Sequence, residues 1–433
     1  MLYKIVRPIA KQGIRIFFRK LHLSNTHRIP QGKPVILAAN HPTGFMEPCV
    51  LACFLDQPLH FLVRGNMFKK KRHNAVLRAL NMLPVYRIQD RGYKFVKSNY
   101  ETFDFCYDAL HEGKTLMILA EGRAEHEKRL RPLKKGTARI AFGTIERYPD
   151  IEDVYVVPVG VNYTYAEYPR TDIMIDFGEP IRIREYEEAY RQNPNQTAAD
   201  FTDELSRRMA ERIVIIEKES DEALTEYLLR IDRTHRLEPA LPFLTNQETP
   251  LRAEKAVADR VNAMPDSTAK ATLLQKAQQY FKRIDAIGTD DAALVKGKRP
   301  SFGAWLLLAL GLPFFIIGYA ANILPYLLAR RIARQRVRRT EFYTSVLWAV
   351  SMGAFLLYGL LWLVLLLLLA PAGWLLLLLI IPALGYFALL YAEFFQRKRR
   401  AMRAAGLPAE QRKELLQLRA ELAQALPTAS AQD

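Results

Sequence analysis

Apolar and polar positions along the 433-residue chain fall into three regimes. Between residues 28 and 190, short apolar runs of strand length recur at Pro34–Ala39, Leu59–Val63, Thr115–Ala120, Val154–Val159 and Ile173–Phe177. Helix-length segments separate the early runs. Strand–helix alternation predicts an α/β fold, a mostly parallel sheet flanked by helices. Residues 191–300 are polar with helical periodicity and predict a helical insert. Beyond residue 300 the pattern turns apolar: 301–328 and 342–395 contain no Lys or Arg. A membrane span needs about 20 apolar residues, so 342–395 predicts a transmembrane hairpin turning at Ala370-Pro371-Ala372-Gly373. Its halves are apolar on every side, which a hairpin buried in a soluble core would not require.

The segment 301–328 is read as re-entrant or transmembrane. Lys296, Lys298 and Arg299 precede it, and Arg330, Arg331, Arg334, Arg336, Arg338 and Arg339 follow it. Basic flanks mark the cytoplasmic side, so the favoured expectation is entry and return on one face, with a break at Gly311 and Pro313. A single tilted span is the other reading. Residues 396–433 read as a basic flank, a surface helix and a tail. At the other end, residues 1–27 place Ile5, Ile9, Ile16, Phe17 and Leu21 among Lys4, Arg7, Lys11, Arg15 and Arg19. Those cations interrupt any signal-peptide core, and the stretch predicts a basic amphipathic helix in an anionic lipid interface.

Charge sharpens this picture. The net of +17 divides into +16 over residues 1–140, −7 over 141–300 and +8 over 301–433. A nucleic-acid binder has no need of an acidic middle, so the asymmetry points to a local basic site in the first third. Cys49, Cys53 and Cys106 lack the number and spacing for a disulfide framework or a structural zinc site, and no metal is expected.

The candidate chemistry lies where strands end, which is where open α/β sheets bind ligands. Asn40-His41-Pro42-Thr43-Gly44-Phe45-Met46-Glu47 follows the first apolar run and supplies an imidazole with a carboxylate close by. Such a pair can act as general base and orienting acid. After Thr115–Ala120 come Glu121, Gly122 and Arg123, then Lys134 and Lys135 before a helix start at Gly136-Thr137. Arginine, lysine and a helix N-terminus all suit phosphate. Arg87 closes the apolar run Leu83-Pro84-Val85-Tyr86, and Val157-Pro158-Val159-Gly160 forms a fourth element.

In this order the four elements resemble the phospholipid/glycerol acyltransferase family over about residues 28–190. His41 and Glu47 match its first motif, Arg87 its second, Glu121-Gly122-Arg123 its third and Val157–Gly160 its fourth, with Leu133–Phe142 also characteristic. The usual first motif has four residues between His and Asp, whereas here five intervene and the acid is Glu. Thr43 and Gly44 are expected to let the loop bulge to compensate.

The resemblance implies a glycerolipid acyltransferase-like α/β domain on a membrane anchor. His41 would take the proton of an acceptor hydroxyl as it attacks an acyl thioester, and Glu47 would orient His41. Arg87, Arg123 and Lys134 or Lys135 would hold the acceptor phosphate, with Glu121 and Gly122 shaping the glycerol pocket. No cofactor is implied beyond acyl-CoA or acyl carrier protein as co-substrate. The expected partners are the lipid bilayer, a glycerol phosphate acceptor and the acyl carrier, without nucleic acid. The acceptor is expected to be glycerol-3-phosphate or dihydroxyacetone phosphate. The alternatives are 1-acylglycerol-3-phosphate, a lyso-aminolipid, or a membrane-anchored protein that only binds acidic lipid or nucleic acid. The catalytic domain is expected on the cytoplasmic face, of the inner or plasma membrane if the source is bacterial.

Overall fold

The computed structural model describes residues 2–85, 98–236, 239 and 241–427. Two compact units emerge, one of residues 1–215, 240–251 and 337–348, the other of 216–239, 252–336 and 349–433. The first is thus larger than the predicted 28–190, taking in the N-terminus and two later segments.

The first unit is built on a nine-stranded sheet. Its strands are β1 Lys20–Ser24, β2 Val35–Ala39, β3 Leu59–Arg64, β4 Met82–Val85, β5 Thr115–Leu119, β6 Tyr155–Tyr163, β7 Asp172–Phe177, β8 Ile181–Arg182 and β9 Leu244–Thr245. Their order is β4-β3-β5-β2-β6-β7-β1-β9, with β8 beside β6. From β4 through β6 the neighbours are parallel, β6 and β7 are antiparallel, and β7, β1 and β9 are again parallel. The mostly parallel α/β sheet read from the sequence is therefore present. β2 is buried along its whole length because β5 and β6 pair with it on either side. Ala39 pairs with Leu119 on one side and Val159 on the other, which brings the carboxyl ends of β2 and β5 together.

Among the described residues, this unit's helices include α1 Leu2–Phe17, α2 Met46–Phe54, α3 Lys71–Ala79, α4 Ser98–His111, α5 Gly136–Arg147, α6 Glu187–Gln192 and α7 Pro194–Ala210. Cys106 and Leu110 of α4, Ile140 and Phe142 of α5, and Phe201 and Leu205 of α7 bury Ile36, Ala38, Leu116, Ile118 and Val156 of the sheet. Burying such side chains contributes roughly 1.5–3 kcal/mol each.

The N-terminal helix ends earlier than predicted. α1 stops at Phe17, and Lys20–Ser24 form the buried strand β1. The reason is pairing: β1 lies parallel to β7 from Lys20–Asp172 to Ser24–Asp176, and Arg19 forks onto Asp172. α1 docks through Ala10 and Ile14 while Ile5, Ile9 and Ile16 remain exposed among the cations.

In the second unit, α8 Glu222–His235, α9 Thr249–Asn262 (beyond its first turn), α10 Thr268–Ile287 and α11 Asp291–Lys296 share a core of Leu228, Val257, Tyr280, Phe281 and Leu294. Three helices, α12 Phe302–Arg336, α13 Tyr343–Leu369 and α14 Leu377–Ala405, are long and apolar enough to cross a membrane. They mark the chain as a membrane protein. α15 Ala409–Ala423 returns to the helical core through Leu415 and Leu422.

The predicted break at Gly311 and Pro313 is absent. α12 runs unbroken for 35 residues, about 52 Å at 1.5 Å per residue. Contacts with α14 hold it: Tyr391 donates to the Leu308 carbonyl at 2.8 Å and Asn322 to Ile381 at 2.9 Å. Gly318 lets the Leu384 carbonyl approach to where a side chain would begin. Here tertiary packing overrides the local Gly/Pro signal.

Candidate functional site

The loop after β2 carries His41, and α2 begins at Met46, so Glu47 sits in the first turn of a helix. The partial positive charge of the helix start favours a carboxylate there. Glu47 is fully buried, and its Oε1 accepts the Thr43 backbone N–H at 2.7 Å. Thr43 Oγ1 in turn accepts the Met46 N–H at 3.2 Å. The other carboxylate oxygen, Oε2, faces His41 Nδ1 at 3.6 Å. Neither atom has any hydrogen-bond partner among the described residues. At 3.6 Å the contact is longer than a formed hydrogen bond, as catalytic contacts often are before substrate binds. The five-residue spacing and the longer acid therefore still bring imidazole and carboxylate face to face.

The loop after β5 is fastened to the same place. Glu121 Oε2 accepts the His41 backbone N–H at 2.9 Å, and Oε1 accepts that of Arg131 at 3.1 Å. Glu125 N–H donates to the His41 carbonyl at 3.1 Å. Asn40 bridges to β6, donating to the Val161 carbonyl at 2.9 Å and accepting the Val161 N–H at 2.7 Å. Both flanks of His41 are thereby fixed. Glu121 is occupied with holding backbone rather than standing open to a pocket.

Gly122 has φ +75°, a left-handed conformation that glycine adopts without cost, and the Lys134 side chain crosses it, its Cγ 3.1 Å from where a Cβ would stand. Lys134 N–H donates to the Ala120 carbonyl at 2.8 Å, closing the loop. Lys135 is the residue before α5; among the described residues the first turn of α5 has no side-chain cap and the buried Thr137 hydroxyl beside it has no partner. Arg123 is 65% exposed and pairs through Nε with Glu125 at 3.1 Å; Arg131 pairs with the same carboxylate. His41, Glu47, Glu121, Gly122, Arg123 and Lys134 thus come together at the ends of β2 and β5, with Lys135 adjoining. Arg87 lies outside the described residues.

Several residues at the site were not singled out by sequence. Asn40, Glu125 and Arg131 organise its backbone. The Tyr163 hydroxyl is buried next to Thr43 and Glu47, and burial followed by the Glu47 charge holds its pKa well above the ordinary tyrosine value. Residues 339–345 also reach the His41 loop, and nothing in their sequence signals it. Gly44 does not form a left-handed bulge; it is small because the Phe342 ring lies against it.

Fold and site define an α/β domain with a buried His–acid pair beside a basic loop, on a chain with membrane-length helices. Residues 20–162, about a third of the chain, match the profile of the family described as Acyltransferase. Over 201 residues it is 23% identical to glycerol-3-phosphate O-acyltransferase 2 of Saccharomyces cerevisiae, covering 46% of this chain and 26% of that protein. Over 99 residues it is 33% identical to glycerol-3-phosphate O-acyltransferase 1 of the same yeast, covering 23% and 13%. The chain thus spans about a quarter or less of the length of these two relatives. The crystal structure of a 1-acyl-sn-glycerophosphate (LPA) acyltransferase from Thermotoga maritima aligns with a TM-score of 0.33 and 20% identity, over 48% of this chain and 80% of that one.

Proposed function

We propose that the protein is a membrane acyltransferase that moves a fatty acyl group from an acyl thioester to a hydroxyl of glycerol-3-phosphate or dihydroxyacetone phosphate. The observation that carries this reading is the buried His41–Glu47 pair, each facing atom without another partner among the described residues, inside the segment that matches the family. The names of the yeast relatives favour this acceptor.

In this reading His41 Nε2 takes the proton of the acceptor hydroxyl as its oxygen attacks the thioester carbonyl. Glu47 Oε2 holds Nδ1–H and stabilises the imidazolium. Collapse of the tetrahedral intermediate expels the carrier thiolate, which recovers the proton from His41. Arg123, Lys134 and Lys135, with Arg87, hold the acceptor phosphate. Direct transfer is supported by the thiols nearby: burial pushes Cys49 up to about 12 and Cys53 up to about 11, so both stay protonated and poorly nucleophilic at neutral pH. The acyl product partitions into lipid, consistent with the membrane-length helices and with the exposed Ile5, Ile9 and Ile16 of α1 in the lipid interface. The basic flanks of the apolar helices favour a catalytic domain on the cytoplasmic face.

The test is transfer by the purified full chain in lipid nanodiscs, with acyl-CoA and acyl-acyl carrier protein each offered to glycerol-3-phosphate, dihydroxyacetone phosphate and 1-acylglycerol-3-phosphate. Turnover greatest with one of the first two is the expected result. Preference for 1-acylglycerol-3-phosphate would reassign the acceptor, and no transfer to any would overturn the enzyme reading.

A further inference from the structure

Four consecutive backbone N–H groups line the turn from Thr43 to Met46, and they are satisfied from two sources. Thr43 donates to Glu47, and Met46 to the Thr43 hydroxyl, within the loop itself. The two between them depend on the segment from Arg339 to Ser345, which joins α12 to α13 and includes the first turn of α13. Gly44 N–H donates to the Glu341 carbonyl at 2.8 Å, and Phe45 N–H to Ser345 Oγ at 3.2 Å. The Phe342 ring fills the space in front of Gly44, its Cδ1 2.6 Å from where a Cβ would be. Arg339 donates to the Ala124 carbonyl at 2.9 Å and pairs with Glu341 at 3.1 Å, reaching the loop after β5 as well. Thr344 and Ser345 are buried at 1% and 0% exposure. This connector lies in the same compact unit as the sheet.

We propose that Phe342, Ser345 and Arg339 are positioning residues that hold the His41–Glu47 loop in its reactive geometry, so that a connector between two membrane-length helices completes the active site. The proposal rests on the reading of His41 and Glu47 as the base pair of an acyltransferase. Without the connector, Gly44 and Phe45 lose their acceptors and the loop its packing partner. A displacement of about 1 Å at a catalytic group can cost roughly 10²-fold in rate, and the 3.6 Å separation of Nδ1 and Oε2 has little slack.

The test uses the full chain in nanodiscs with Phe342→Ala and Phe342→Tyr, read by kinetics and by site-resolved modification of His41 with diethyl pyrocarbonate. Phe342→Ala should lower kcat about 10²-fold while leaving KM for acceptor and donor nearly unchanged. Phe342→Tyr, which keeps a ring over Gly44, should restore most of the rate. In Phe342→Ala, His41 modification should accelerate severalfold while exposed His27 and His111 react as in the wild type. Unchanged His41 modification overturns the proposal, whether or not the wild type transfers acyl groups; absence of wild-type transfer with accelerated modification would defeat the function alone.

Discussion

In the helical unit, Arg419 forks onto Asp291 at 2.8 and 3.0 Å, Tyr280 donates to the same carboxylate, and His235 lies 3.1 Å from the guanidinium. In the sheet unit, His41 and Glu47 are equally hidden, yet the two atoms that face each other have no hydrogen-bond partner among the described residues. Burying polar groups is costly unless they are paired. The first cluster meets that cost with several hydrogen bonds and serves the fold. The second leaves Nδ1 and Oε2 facing each other, the contact that in the proposed mechanism holds the imidazole while Nε2 takes the acceptor proton.

Substitutions should separate the two clusters. Asp291→Ala strands the Arg419 cation in the interior, which should lower unfolding stability by about 3–5 kcal/mol, seen as a lower melting temperature with normal turnover per folded molecule. Equal loss of activity in the folded fraction would give Asp291 a role beyond the fold. Glu47→Gln keeps the volume but removes the charge that steadies imidazolium, and should lower kcat about 10²-fold with little change in melting. Glu47→Asp should retain part of the activity. Loss of folding in Glu47→Gln would move this carboxylate into the structural class.

Arg123→Ala should raise the acceptor KM about tenfold, the equivalent of one charge-assisted hydrogen bond, with donor KM nearly constant. Arg123→Lys should recover only part, because the guanidinium fork is lost. A matched rise for both substrates would place Arg123 elsewhere. The smallest effect is expected at Cys49, whose pKa is pushed up to about 12 by burial. A raised thiol pKa means the thiolate appears only as pH climbs toward that value, so at neutral pH Cys49→Ala should keep wild-type kcat. Loss of transfer in Cys49→Ala would point to an acyl-cysteine intermediate.

What could be read from sequence follows the same physics. β2, β5 and β6 are buried on both faces, so their apolar runs are continuous and visible. The sequence pattern runs β1 into the preceding helix because Lys20, His22 and Ser24 look solvent-facing, yet all are buried. Ser24 bonds Asp176 and His22 contacts Thr245, partners that only the fold supplies. His41, Glu47, Glu121 and Arg123 stood out because their chemistry is local to strand ends. The resemblance implies a pocket role for Glu121; its oxygens accept the backbone N–H groups of His41 and Arg131, 80 and 10 residues away, which the sequence does not signal. The connector from Arg339 to Ser345 is invisible for a related reason: its hydrogen bond with Phe45 spans 300 residues, and its sequence reads only as a gap between apolar helices.

The account turns on whether the unsatisfied pair does chemistry, and His41→Ala asks this most directly. Acyl transfer to the preferred acceptor should fall by about 10²–10⁴-fold at saturating substrates, with the melting temperature of the wild type retained. A His41→Ala protein that folds normally and transfers acyl groups near the wild-type rate would contradict it.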